Sequence, residues 1–183
     1  MSFFILVVLT IFLALGGMIY GILALTRRTG GLGETDPGIG TVRRLYFYIV
    51  SVVALMMAAH GVVLIAGFVL DSLIGHATLT GTSVRLATGL SLTIVGIPLW
   101  VIHWRILVRQ VGKMPVEERS VIRKIYVYLI LGISVTFTMS GAIGILEWIF
   151  GTSSFKGWSF AAVAVFVAVW WHHWRLENRE GQS

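Results

Sequence analysis

Apolar runs of bilayer-crossing length recur along this chain, and its charged side chains fall almost entirely between them. That pattern constrains the backbone more than any motif does. A hydrocarbon core about 30 Å thick offers no water to unpaired N–H and C=O groups, so a run of about 20 apolar residues predicts a helix. Five runs qualify or nearly qualify: residues 2–26, 45–70, 86–104, 125–146 and 157–174. The last is the shortest, and its Trp-rich end is predicted to lie in the headgroup layer. Hydrophobic residues make up 57% of the chain and charged residues 12%, which places it among integral membrane proteins.

Two short motifs each occur twice. Trp100, His103, Trp104 and Arg105 close one apolar run, and Trp170, His173, Trp174 and Arg175 close another at an offset of 70. Arg43, Arg44, Tyr46 and Tyr48 open a run, and Arg123, Lys124, Tyr126 and Tyr128 open a second at an offset of 80. The pairing predicts a duplicated two-helix unit whose connecting loop is about ten residues shorter in the second copy. It aligns His60 and Gly61 with Ser140 and Gly141. The predicted fold is therefore an all-α integral membrane protein with five transmembrane helices. An N-terminal span precedes a duplicated two-helix repeat that forms a four-helix bundle. The expected divisions are a span in 1–26, a flexible cytoplasmic linker in 27–44, a first repeat in 45–104 and a cytoplasmic loop in 105–124. A second repeat in 125–176 and a tail in 177–183 follow.

Net charge is +6, but its distribution encodes orientation and not nucleic-acid binding. Of the 14 Lys and Arg residues, all except Arg85 and Lys156 fall on one side of the predicted spans. The positive-inside rule then puts the amino terminus outside and the carboxyl terminus in the cytoplasm. The first run has no basic residue before it and exceeds the usual length of a signal-peptide core, so it reads as a retained span. The string GGLGETDPGIG at 30–40 superficially resembles a phosphate-binding loop, yet no strand precedes it and no Lys-Ser/Thr pair follows. In the loop 106–124, Glu117 and Glu118 follow Pro115, where an incoming helix favours negative charge. With no Cys in the chain, disulfides, thiolate metal sites and covalent haem attachment are excluded.

Ionisable residues inside spans need a partner or a purpose. His60 is the deepest, and it reads either as an imidazole hydrogen-bonded to Thr136 or Ser140 or as a tetrapyrrole ligand beside Gly61. His103 and His173 end the second helix of each predicted repeat and should share one membrane depth. They read as interfacial anchors with their Trp and Arg neighbours, as axial ligands of a b-type haem with Arg105 and Arg175 as propionate partners, or as contacts to lipid headgroups. His172 points about 100° away from His173 and makes a poor metal pair with it. Gly132, Thr136, Ser140 and Gly144 recur at four-residue spacing and predict a small-residue packing face. Glu147, beside Trp148, is expected to be partly buried and paired with Arg85 or Lys156.

RRLYFY at 43–48 and IPLWVIHWR at 97–105 resemble the hallmarks of an uncharacterised bacterial membrane-domain family, a domain of unknown function with four helices in two repeats. The resemblance spans about Arg43 to Arg175 and implies a bacterial cytoplasmic-membrane setting; it brings no catalytic residues. Pro98 has Ala168 as its counterpart, so the second motif is a degenerate copy. The residues themselves leave three functional classes. The first is a noncatalytic accessory or structural subunit of a larger membrane complex, contacting lipid and either other subunits or itself. The second is a tetrapyrrole-binding electron-transfer or pigment protein carrying haem b or a chlorophyll-type group. The third is a small transporter. No nucleophile, base and oxyanion donor fall at a recognisable enzyme spacing.

Overall fold

A computed structural model describes residues 37–74, 82–111 and 121–180. The chain divides into compact units after Gly40. Apart from 37–40, the first unit lies outside the described residues, and with it the predicted span at 2–26 and most of the predicted linker. His76, Pro115, Glu117 and Glu118 also lie outside them. The described residues form four helices, α1 (Pro37–Leu73), α2 (Thr82–Val111), α3 (Val121–Ile149) and α4 (Gly157–Glu180).

Helix α1 begins inside the segment expected to be linker. Pro37 suits a first helical position, where its fixed φ is already helical and its missing N–H would have had no intrahelical partner. Residues Leu45–Leu73, Val84–Arg109 and Ile122–Ile149 form three helices long and apolar enough to cross a membrane. Of the five expected spans, that at 2–26 lies outside the described residues, and three of the other four reach this length and apolarity. Helix α4 is long enough at 24 residues, but Trp170, Trp171, His172, His173 and Trp174 dilute its apolar character toward the C-terminus. Helix α3 stops in a Schellman arrangement: Gly151 takes φ of 72°, its N–H donates to Trp148 O at 3.0 Å, and Thr152 N–H donates to Glu147 O at 2.9 Å.

Helix α1 is the hub. Of its span 44% is buried, against 17% for α2 and 22% for α3. One face carries Ala54, Ala58 and Gly61 against α2; a Cβ on Gly96 would meet Ala58 N at 2.6 Å, and one on Gly61 would meet Gly89 O at 2.8 Å. A second face, carrying Tyr48, Val52 and Leu55, packs into a cluster with Leu107 of α2 and Tyr126, Val127 and Ile130 of α3. A third, carrying Ala59 and Val63, packs with Ala161, Ala162 and Phe166 of α4. Small residues at these crossings let backbones approach closely, which is how helices adhere where lipid removes the hydrophobic drive.

The helices run alternately up and down. At one end the start of α1, the end of α2, the start of α3 and the end of α4 meet through Phe47, His103, Trp104, Tyr126 and His173. At the other end, Asp71 near the end of α1 accepts from Arg85 Nη1 of α2 at 3.0 Å and from the Gly157 amide that starts α4. The second contact satisfies one of the N–H groups that a helix leaves open at its N-terminus. Asp71→Ala is expected to cost about 1–3 kcal/mol, because the Gly157 amide loses its acceptor. Arg85→Ala should cost less than about 1 kcal/mol, since the Arg85 side chain is 41% exposed. Denaturation in mild detergent measures both, and equal losses would contradict the ranking.

Candidate functional site

The richest side-chain chemistry lies at the cationic end of the bundle. Helix α4 delivers His173 there, 1% exposed, with Nδ1 2.9 Å from Val169 O one turn back. A carbonyl only accepts, so Nδ1 carries the proton and Nε2 holds a lone pair. Nε2 is buried and has no hydrogen-bond partner among the described residues. The imidazole lies against Tyr126 of α3 at 5.9 Å and Trp104 of α2 at 6.2 Å between ring centroids. Tyr126 is itself 2% exposed, and its hydroxyl is 3.4 Å from Ser51 Oγ of α1.

His103 is tied in the same way, with Nδ1 2.8 Å from Leu99 O. Its neighbours differ: Tyr46 at 6.2 Å and Phe47 at 5.7 Å, both from α1. The two imidazoles therefore occupy separate niches, each closed by aromatic rings of other helices. Arg105 and Arg175 are exposed. Two residues advance a helix by about 200°, which carries each guanidinium away from its own imidazole. That of Arg175 sits 4.7 Å above the Trp171 ring.

Between α2 and α3, over α1, is a cavity of about 150 Å³ whose wall includes Tyr48, Trp104, Leu107, Arg123, Tyr126 and Val127. Pockets for drug-sized ligands and cofactors occupy about 300–1,000 Å³. A macrocycle would have to displace Trp104 or Tyr126. Among the described residues, no three His, Asp or Glu side chains group to hold a metal ion.

His60 is half-buried on α1, away from this end. The space beside Gly61, expected to admit a flat macrocycle, is filled by Gly89 and Thr93 of α2, whose oxygen and nitrogen would lie 2.8 Å from an added Cβ. Thr136, one of two hydroxyls expected opposite His60, is exposed and donates to Gly132 O of its own helix at 2.9 Å. The small-residue face of α3 is likewise split. A Cβ on Gly144 would collide with the Ser159 side chain of α4, whereas a Cβ on Gly132 would meet nothing within 4 Å. Four residues advance a helix by about 400°, so positions spaced by four drift about 40° per step and fan away from a single neighbour. The close approach to α4 falls instead on Gly141, whose Cβ would lie 2.7 Å from Ser159 O.

Several contacts repeat at the offsets seen in the sequence. The ring pair Tyr46 and His103, at 6.2 Å and 61°, matches Tyr126 and His173, at 5.9 Å and 56°. Trp100 stacks on Trp104 as Trp170 stacks on Trp174, with interplanar angles of 20° and 13°. Gly61 abuts Gly89 O and Thr93 as Gly141 abuts Ser159 O and Val163. Ser51, Tyr126 and Arg123 were not singled out as site residues in the sequence. Tyr126 and Arg123 stood in the repeated motif, but only packing places them on the cavity.

At the opposite end, Glu147 is 48% exposed and lies 3.8 Å from Lys156, while Arg85 pairs with Asp71. The side chain of Glu147 is thus more exposed than expected, because its position in the last turn of α3 faces the loop. Its carbonyl contributes more, accepting from the amides of Thr152 and Ser153.

Residues 44–154 match a family model described as a domain of unknown function, DUF5671. The match opens at Arg44, covers most of α1 and all of α2 and α3, and stops before α4, short of the extent to Arg175 that the sequence resemblance implied. Comparison with curated proteins and with solved structures gave no match.

Gly141→Val is expected to destabilise the protein by about 1–3 kcal/mol by forcing α3 from α4. Gly132→Ala should stay within about 0.5 kcal/mol of the parent, because its site is open. Unfolding midpoints of the two variants in the same detergent check the contrast.

Proposed function

The chain belongs to the DUF5671 family, and we propose that it acts as a noncatalytic polytopic membrane protein, an accessory or structural subunit of a larger membrane complex. The observation that carries this reading is the outward half of the small-residue face on α3. Gly132 and Thr136 are exposed, with Val135 and Met139 flanking them on the same side, and no described residue lies over Gly132. Small residues four apart are the contact by which transmembrane helices seat against each other. Lipid alone gives a helix no reason to carry a glycine there. The favoured partner is a transmembrane helix of another subunit or of a second copy.

The duplication of a two-helix unit is part of the same proposal, supported by the recurring ring pairs and glycine contacts. So is the orientation. The cationic end, with Arg105, Arg109, Arg123, Lys124 and Arg175, faces the cytoplasm by the positive-inside rule, and the end with Asp71 and Glu147 faces outward. Helix α4 then crosses as a fourth span, its Trp and His residues reaching the headgroup layer.

A second reading, a tetrapyrrole protein, draws on one observation: Nδ1 of His173 is pinned to a carbonyl while Nε2 is left unpartnered, the arrangement that prepares an imidazole as a ligand. The 150 Å³ cavity weighs against it.

Extraction in the mildest effective detergent is expected to retain a partner chain or a second copy, and Gly132→Leu should release it without lowering the unfolding midpoint. A parent protein that emerges alone under those conditions would sink the accessory-subunit reading. An absorption spectrum of the same material, before and after dithionite, is expected to lack Soret and red bands. A Soret band abolished by His173→Leu would promote the second reading in its place.

A further inference from the structure

We propose that the cavity at the cationic end is a headgroup site for an anionic phospholipid. Its wall combines one guanidinium, Arg123, with the phenols of Tyr48 and Tyr126 and the indole of Trp104. A planar guanidinium matches phosphate oxygens with two parallel hydrogen bonds, and phenol hydroxyls supply further donors. The rest of the wall is apolar: Leu107, Val108 and Val127. That is the division of an amphiphile, an oxyanion at one end and hydrocarbon beyond it.

Volume limits the choice. At about 30 Å³ per water, 150 Å³ holds the equivalent of about five waters, enough for a phosphate and the first glycerol carbons and too little for a large ring system. The acyl chains have a bed outside. Val108 stands at the wall half-exposed, and Ile97 and Ile94, eleven and fourteen residues before it, fall on the same side of α2, 40% and 68% exposed. Lipid tails running from the cavity along this face would cover the least buried of the three candidate spans.

Charge points the same way. Arg105, Arg109 and Lys124 are exposed on the turns around the cavity. Basic pockets between transmembrane helices on the cytoplasmic side are known receptors for anionic headgroups. The inference rests on the membrane embedding proposed above, but not on any partner subunit, and lipid binding by solubilised protein is read independently of partner retention.

The test is native mass spectrometry of the full-length chain, delipidated in mild detergent and then offered phosphatidylglycerol or phosphatidylcholine with identical acyl chains. One phosphatidylglycerol per chain is expected to be retained about tenfold more strongly than phosphatidylcholine. Arg123→Gln should abolish that preference, and Lys124→Gln, an exposed cation nearby, should reduce it less. Val108→Trp fills the cavity without altering charge and should also displace the lipid, which keeps the question open to decision if Arg123→Gln does not fold. Equal retention of the two lipids, equal effects of the Arg123 and Lys124 substitutions, or retention indifferent to Val108→Trp would overturn the proposal. Inorganic phosphate that binds alone and displaces phosphatidylglycerol would overturn it too, by making the site one for free phosphate.

Discussion

Helices meeting inside a bilayer gain nothing by hiding apolar surface, because lipid tails are as apolar as the side chains they replace. Contact must instead come from close approach, and in this chain close approach converges on α1. Ala54, Ala58 and Gly61 admit α2, while Gly67 admits α4, with the Trp158 backbone 3.0 Å from where a Cβ would stand. Each crossing is set by the absence of a side chain, so enlarging one residue moves a whole helix. Among the described residues, the two longer neighbours of α1 remain mostly uncovered, so their outer faces are open to other occupants.

The cationic end is packed differently. Rings of Tyr, Trp, Phe and His fill it in place of backbone-to-backbone contact, and aromatic edges leave gaps that small residues do not. The cavity lies there, as does the unpartnered Nε2 of His173, and the Ser51 to Tyr126 hydroxyl distance of 3.4 Å is long for a hydrogen bond between oxygens. An unsatisfied buried acceptor costs about 1–3 kcal/mol. A bundle held firmly through its middle and its Asp71 end can carry that cost at the end where polar headgroups begin.

Long apolar runs made the helices legible in the sequence, and the motif spacing sets Tyr46 against Tyr126 and His103 against His173, whose ring pairs have similar geometry. The start of α1 was not legible, since glycines around Pro37 look like linker when read without the helix that follows. Nor was the division of labour along α3. Spacing by four identifies a small-residue stripe but not the slow rotation that turns Gly144 toward α4 and leaves Gly132 outside. Cross-helix bonds such as Asp71 to the Gly157 amide join residues 86 positions apart and leave no trace in local pattern. Arg123 and Lys124 open the same apolar run side by side; only packing shows that Arg123 lines the cavity while Lys124 is exposed.

The matched family region ends at residue 154, yet the packing does not end there. Without α4, Gly67 and Gly141 would lose the backbones they admit, and Asp71 would lose the amide it caps. Ala59 and Val63 of α1 would lose Ala161, Ala162 and Phe166, and Phe137 would lose the ring of Phe166 stacked on it at 4.5 Å. Three helices with that much prepared surface are not a finished unit. Helix α4 therefore belongs to the same cooperative bundle as α1 to α3. Its C-terminal end completes the other end of the bundle as well, where His173 lies against Tyr126 and Trp170 packs on the same cluster.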